Sequence, residues 1–393
     1  LSLDYQRLLQ EYADHFGAAP EAGARAPGRV NLIGEHTDYN GGYVLPLAID
    51  RETVVIGRVR PGQVLKLYAH NLGETATVDL AQPVRSATTP WADYVAGVAS
   101  AFQRAGHELP GGELLIAGDV PLGCGLSSSA ALEMAVLRYF EGAVGAALTD
   151  GEAARLGQWV ENEFLGLSSG IMDQFICRAG KVGHALFLQC ETFEHRHVAV
   201  KLTDVRFVIA DSRSPRGLTD SAYNQRVREC GEALACINSL ANAQYATLSQ
   251  VPDDIAEDLE DKLSGAPGRR FRHVRSENAR TLQALAALEA GDTARLGALM
   301  DASHESLRRD YEVTGEALDT LAGLARAHPG CHGARMTGAG FGGCTINLVD
   351  AGAVSSFTAY LEAAYEKETG RIPVVFDTVP VAGASVLELE WGR

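Results

Sequence analysis

Apolar side chains at Tyr5, Leu8, Leu9, Tyr12 and Phe16 recur at the spacing of one helix face, which predicts an amphipathic helix over residues 5–16. A short apolar run, Val30-Asn31-Leu32-Ile33, is entered through Pro27-Gly28. The β-branched run Thr53–Val59 and the run Gly112–Ala117 predict strands. Helical periodicity follows over 128–142 and 152–166, then a loop at Leu167–Gly170 and a helical or extended segment from Ile171 to Cys177. Strand patterns recur at 183–189, 195–201 and 205–211. Helical spacing dominates afterwards, over 220–240, 276–290, 293–309 and 315–327. A strand at 344–349, a helix near 352–368 and a strand near 373–377 complete the pattern. Residues 251–272 mix acidic side chains with Ser-Gly-Ala-Pro-Gly and predict a solvated excursion. Strands and helices mix without strict alternation, which favours an α+β fold over a doubly wound sheet. The break between halves is placed near 178–205, giving units 1–190 and 191–393.

Composition narrows the function. The 393 residues are 46% hydrophobic and 21% charged, enough for about two ordinary globular domains. A formal charge of −16 excludes broad nucleic-acid or anionic-membrane binding. It does not exclude an anionic small ligand, because a few local backbone N–H groups override a global charge. No uncharged apolar run approaches the roughly 18 residues that span a bilayer. Leu1-Ser2-Leu3-Asp4-Tyr5 has no basic-then-apolar pattern, so no secretory leader is expected. Seven widely spread cysteines, an odd number without C-x-x-C, predict free thiols and a cytoplasmic location.

Three glycine-containing stretches carry the chemistry. Pro121-Leu122-Gly123-Cys124-Gly125-Leu126-Ser127-Ser128-Ser129-Ala130-Ala131 lies between a predicted strand and helix. Its glycines permit a tight turn, its serines can cap the helix, and the helix start carries partial positive charge, so the stretch suits a phosphate group. No Gly-Lys-Ser/Thr follows, so it is not a P-loop. Gly338-Ala339-Gly340-Phe341-Gly342-Gly343 has the spacing G-x-G-x-x-G, but a strand follows it where a dinucleotide fold needs a helix. A protein-kinase loop fails too, for want of His-Arg-Asp and Asp-Phe-Gly segments. What remains is a backbone that closely approaches a ligand or another segment, or a tight turn between strands.

The third stretch, Gly28 to Gly42, gathers Glu35, His36 and Asp38 beside Arg29. A metal site, a polyhydroxylated-ligand site and a solvated loop compete. Structural zinc wants Cys or a second His nearby. Carboxylates and an imidazole suit sugar hydroxyls, which both donate and accept hydrogen bonds. Elsewhere, His195 and His197 read as an exposed strand face and Cys331-His332 as incidental. Trp91 and Tyr94 read as helix packing, with an adenine contact as the alternative.

Together the three stretches resemble the signature motifs of the GHMP small-molecule kinases, in order and separation. The first is similar to that of the members acting on galactose. Similar segments cover almost the whole chain: Glu161–Phe164, Gly170–Phe175, Tyr223–Arg226, Arg272–Val274 with Glu277-Asn278, Ser303–Arg308 and Leu318-Asp319. The resemblance implies a ribosomal S5 domain 2-like mixed-sheet domain, a ferredoxin-like α+β domain, and an active site in the cleft between. It implies ATP-dependent phosphorylation of galactose at its anomeric hydroxyl, opening the Leloir pathway. With the charge and hydropathy above, no nucleic-acid or membrane partner is expected, and the chain is expected to act as a monomer or weak homo-oligomer.

Carried over by residue, Glu35, His36, Thr37, Asp38, Gly170, Asp173 and Tyr223 would contact the sugar. Gly123, Cys124, Gly125, Leu126, Ser127, Ser128 and Ser129 would hold the triphosphate, and Ser129 and Glu161 would ligate Mg2+. Asp173 would be the base, with Arg29 as its catalytic partner. Gly338, Gly340 and Gly343 would shape the cleft. Two departures stand out: Cys124 where the family commonly has Ala, and no His near Arg216. The rivals are a sister kinase for N-acetylgalactosamine or arabinose, and a non-catalytic galactose and ATP sensor. Intact Ser127–Ala131, Glu161 and Asp173 disfavour the sensor, and Glu35-His36-Thr37-Asp38 disfavours mevalonate.

Overall fold

The computed structural model describes residues 3–214, 219–260 and 262–389. The first half runs α1 (Tyr5–Phe16), β1 (Ala22–Asn31), β2 (Tyr43–Val44), β3 (Pro46–Arg60), β4 (Val64–Ala69), β5 (Glu74–Asp79), α2 (Pro90–Arg104) and β6 (Gly111–Gly118). It continues through α3 (Ser128–Val144), α4 (Asp150–Trp159), α5 (Met172–Ala179), β7 (His184–Gln189) and β8 (His195–Ala199). The second half holds β9 (Val205–Asp211), α6 (Thr219–Ala241), α7 (Asp253–Glu260), α8 (Gly265–Ala290), α9 (Thr293–Ser306) and α10 (Gly315–Ala327). It ends with β10 (Cys331–Thr337), β11 (Cys344–Asp350), α11 (Val354–Thr369), β12 (Val374–Thr378) and β13 (Ser385–Leu387).

A mixed sheet, β13-β1-β3-β6-β4-β5, is parallel only between β4 and β6. Period-2 alternation divides its two faces. Val55, Leu114 and Ile116 pack with α2 and α3, whereas Val54, Ile56, Leu115 and Ala117 cover Leu8, Leu9 and Tyr12 of α1. The second half builds an antiparallel sheet, β10-β11-β9-β12. Phe207 and Ile209 of β9 face α8 and α9, while Val208 and Ala210 face α10 and α11. Val30, Leu32, Ile33 and Leu45 of the first half enter the same core as Ile209, Leu285 and Leu299, so one apolar layer joins the two sheets beneath their cleft. Among the described residues no helix is long and apolar enough to cross a membrane.

Most predicted elements form, with three differences. Residues 251–272 are largely helical. Ala256, Leu259, Leu263 and Phe271 are buried against Cys230, Ile237 and Leu307, an apolar spacing hidden among acidic neighbours. The hairpin β4–β5 and strand β10 were not predicted. Two helices expected to run on, over 152–166 and 293–309, instead finish in π-turns, Val160–Leu165 and Leu307–Tyr311. Such turns redirect the side chains they carry; here these include Glu161 and Tyr311. Arg216 lies outside the described residues.

Candidate active site

The phosphate-type loop follows β6 and opens α3. Gly123 and Gly125 take φ of 71° and 78°, which glycine adopts without cost, and Ser127 takes 58°. The serine expected to cap the helix does not: no side chain caps α3 at Ser127. Its hydroxyl instead donates to Asp173 Oδ2 at 2.5 Å. The first N–H groups of α3 therefore have no side-chain cap, the arrangement that receives an anion. Leu126 is buried and its carbonyl accepts from Arg29 N, so it anchors the loop. Cys124 Sγ lies 3.1 Å from Asp211 Oδ2 at the end of β9, a contact that an Ala there would lack.

Arg29 sits just after a register shift in β1. Its Nε and Nη2 donate to Asp173 Oδ1 and Oδ2 at 2.7 and 2.8 Å, and its Nη1 donates to Gly125 O at 2.5 Å. One guanidinium thus ties the loop to the first turn of α5, which presents Asp173. Ser129 Oγ lies 3.2 Å from Glu161 Oε1. Burial pushes the Glu161 carboxyl above its ordinary value, against hydrogen bonds from Ser169, Gln174 and Ser129, which are neutral groups and not cations. A hydroxyl and a buried carboxyl without a cationic partner among these groups are two hard oxygen ligands that fit a divalent cation keeping several waters.

The first motif is held by its backbone. On α8, Glu277 accepts from Gly34 N at 3.0 Å, His273 Nε2 donates to Glu35 O at 3.0 Å, and Asn278 Oδ1 accepts from Tyr43 N at 3.0 Å. Burial raises the Glu277 carboxyl, but Arg280, His273, Arg335 and the Ser303 hydroxyl outweigh it and hold it at about 2. Glu35 accepts from Arg335 Nη2 at 2.8 Å and from Gly338 N at 2.9 Å. Thr37, expected among the sugar contacts, is fully buried, its hydroxyl within 2.9 Å of the carbonyls of Gly34 and Tyr43, and it does not line the cavity that holds the other motif residues. It closes the loop.

The third glycine stretch approaches another segment closely, one of the two outcomes left open above. A Cβ on Gly338 would lie 2.6 Å from Gly125 O, and one on Gly340 would lie 2.3 Å from Val313 O.

A cavity of about 260 Å³ gathers Arg29, Glu35, His36, Asp38, Ser129, Glu161, Gly170, Asp173 and Tyr223, together with Gly338 and Ala339. The acids of the first motif and the start of α3 therefore share one space. Gly170 is required there: a Cβ would lie 1.9 Å from Asp38 Oδ2. Burial, reinforced by repulsion from Asp173, pushes the Asp38 carboxyl up to about 7. Burial lowers the His36 imidazole to about 3. On the other flank of the loop a cavity of about 360 Å³ is walled by Leu72, Trp91, Ile116, Val120, Ser128 and Leu132. A cavity of about 720 Å³ between the start of α10 and the end of α11 contains none of the predicted site residues.

Sequence reasoning missed Arg335, which pairs with Glu35, Ser169, which lines the smaller cavity, and Tyr39 and Tyr311, which flank the His36 ring. Arg335 left a readable signal, a lone charge inside the strand Gly-Ala-Arg-Met-Thr. Tyr94, read as packing, lines the smaller cavity.

Two sheets over a shared core, a cleft joining a sugar-type acid cluster to a phosphate-type helix start, and a third glycine stretch between them define a GHMP kinase. Residues 93–181 match the GHMP kinases N terminal domain and residues 284–367 the GHMP kinases C terminal domain. Residues 10–59 match the galactokinase galactose-binding signature. The galactokinase of Roseiflexus sp. is 44% identical over 374 residues, 95% of each chain. That of Exiguobacterium sibiricum is 41% identical over 392 residues, 98% of this chain and 99% of the other. The crystal structure of Lactococcus lactis galactokinase complexed with galactose matches with a TM-score of 0.93 at 39% identity, covering 97% and 99% of the two chains. A mevalonate kinase structure, TM-score 0.61 at 20% identity, shares the fold alone. The chain belongs to the galactokinase family: it is an ATP-using sugar kinase.

Proposed function

We propose that the chain transfers the γ-phosphoryl group of ATP to the anomeric C1 hydroxyl of galactose, giving α-galactose 1-phosphate and ADP. The observation that carries the substrate pose is the single cavity holding Asp38, Asp173 and Tyr223 with Ser129 and Glu161. Residues 1–190 supply the sugar and phosphate motifs; residues 191–393 supply Tyr223, Arg335 and the third glycine stretch. The apolar cavity at Trp91 and Leu72 receives adenine, and the N–H groups from Gly123 to Ser129 receive the triphosphate. Ser129 and Glu161 would hold Mg2+, which when bound offsets phosphate charge.

Among the described residues, Asp173 Oδ2 already accepts from Arg29 and Ser127, while Oδ1 accepts from Arg29 alone. A carboxylate oxygen accepts two hydrogen bonds. Oδ1 is therefore the atom that receives the C1 hydroxyl proton as the sugar oxygen bonds to phosphorus and ADP leaves. Arg29, fixed to Gly125 O, lies where it can also stabilise charge on the moving phosphoryl group. Asp38 and Glu35 read hydroxyls distant from C1. The cavity is completed by one chain, which fits action as a monomer or weak homo-oligomer, and seven free cysteines fit a cytoplasmic setting.

ADP release measured with a panel of sugars, with and without Mg2+, tests the reading. Galactose should dominate; equal turnover of glucose, or metal-independent turnover, would remove it. Two further results are expected. Gly170→Ala should displace the Asp38 carboxylate and raise the galactose KM about tenfold, with a smaller change in kcat. Below pH of about 7 Asp38 is protonated and loses an acceptor, so kcat/KM for galactose should fall as pH drops through that value. A profile flat from 8 to 6 would show that the charge on Asp38 is not needed.

A further inference from the structure

Three tyrosines enclose the His36 ring. Its centroid lies 4.8 Å from that of Tyr311, 5.6 Å from that of Tyr223 and 5.9 Å from that of Tyr39. Both ring nitrogens are committed, Nε2 to Ala339 O at 3.2 Å and Nδ1 to the Tyr39 hydroxyl at 2.9 Å. The Tyr39 hydroxyl lies 2.7 Å from that of Tyr311, which lies 3.1 Å from Cys230 Sγ.

The direction of every proton in this chain follows. A carbonyl only accepts, so Nε2 carries hydrogen. The buried imidazole is neutral, so Nδ1 accepts and Tyr39 donates. With its proton engaged, Tyr39 accepts from Tyr311, and Tyr311 accepts from the Cys230 thiol. Burial pushes that thiol up to about 11, so its proton is present. His36 also takes a φ of 62°, which a non-glycine residue keeps only where its neighbours over-determine it.

We propose that Tyr39 and Tyr311 are positioning residues for sugar selection, locking His36 as the Nε2–H tautomer and, through its bond to Ala339, holding the third glycine stretch against the cavity. His36 then offers the sugar a fixed ring wall and no free nitrogen. Hydroxyl reading falls to Glu35, Asp38, Asp173 and Tyr223. Without the Tyr39 hydroxyl, Nδ1 is a buried acceptor with no donor. The ring then turns or changes tautomer, and Ala339 loses its partner. This inference rests on the reading of the cavity as the galactose site.

The test uses the full-length enzyme with 15N-labelled histidine rings, the His36→Gln spectrum identifying the His36 signals. Wild type should show the Nε2–H tautomer. Tyr39→Phe should shift the His36 ring signals and raise the galactose KM about fivefold to tenfold, the effect of one net hydrogen bond, with kcat within about twofold. Tyr311→Phe should do the same more weakly, and Cys230→Ser, which keeps a donor, should retain more galactose affinity than Cys230→Ala. Unchanged ring signals or an unchanged KM in Tyr39→Phe overturn the proposal. If Tyr39→Phe does not fold, Tyr311→Phe is judged by the same two readouts. Failure of the wild type to phosphorylate galactose would remove the substrate reading instead, and the ring spectra would still report the tautomer.

Discussion

Asp173→Asn should cost about 10²–10⁴-fold in turnover while galactose still binds. Asn matches Asp in volume, so the cavity keeps its shape, but an amide cannot take the C1 proton. The guanidinium of Arg29 now directs two donors at the carboxylate and a third at Gly125 O. The amide nitrogen cannot face those donors, so one of the paired bonds is also lost. ADP release and calorimetric galactose binding, measured on the same preparation, separate the two effects. Retention of turnover to within about tenfold would reduce Asp173 to an orienting group. Arg29→Lys supplies the complement: a point charge replaces a planar fork, and turnover should fall more than sugar affinity.

Arg335→Met should destabilise the fold by about 3–5 kcal/mol, because it removes one partner of a buried ion pair and leaves the other uncompensated. Arg335 is 0% exposed and Glu35 2%. The guanidinium also donates to Asn31 O at 2.8 Å, so β1 loses a tie to β10. The sign of the pH dependence follows from Glu35. Burial already holds its carboxyl above 4.5, against the pull of Arg335 and Arg29. Loss of Arg335 raises it further. A raised carboxyl costs stability once pH exceeds the unfolded value, so the deficit should be larger near pH 8 than near pH 5. Urea denaturation at both pH values checks this. A loss below about 1 kcal/mol at pH 8 would mean that Glu35 carries no buried charge.

Legibility differed by element. The helix at 5–16 was plain because Tyr5, Leu8, Leu9, Tyr12 and Phe16 repeat over three turns, with Asp4 capping the start and Gly17 the end. Helix α7 was not, since Ala256 and Leu259 are too few among acids to outweigh them. The π-turns at Val160–Leu165 and Leu307–Tyr311 leave no mark on hydrophobic spacing, yet they end the helices that deliver Glu161 and Tyr311. In the site, Asp38, Asp173, Ser129 and Glu161 were nameable from their motifs. Thr37 was assigned to substrate because motif membership does not separate a residue that touches the ligand from one that closes the loop.

Sequence alone determined which chemical groups are present: local turn chemistry at Gly123 and Gly125, the acids around His36, and the periodicities that commit segments such as 5–16 and 128–142 to helix. Those properties depend on neighbours a few positions away. Tertiary structure alone decided what each group is bonded to. Arg29 meets Asp173 across 144 positions and Arg335 meets Glu35 across 300. Whether Ser127 caps its helix or donates to Asp173, and which nitrogen of His36 carries hydrogen, depends on Asp173 of α5 and Ala339 of the third glycine stretch, both brought in from far along the chain. Burial raises both the Asp38 and Glu277 carboxyls, and only the cations packed around Glu277 reverse the shift there, so each outcome exists only once those strands and helices have packed.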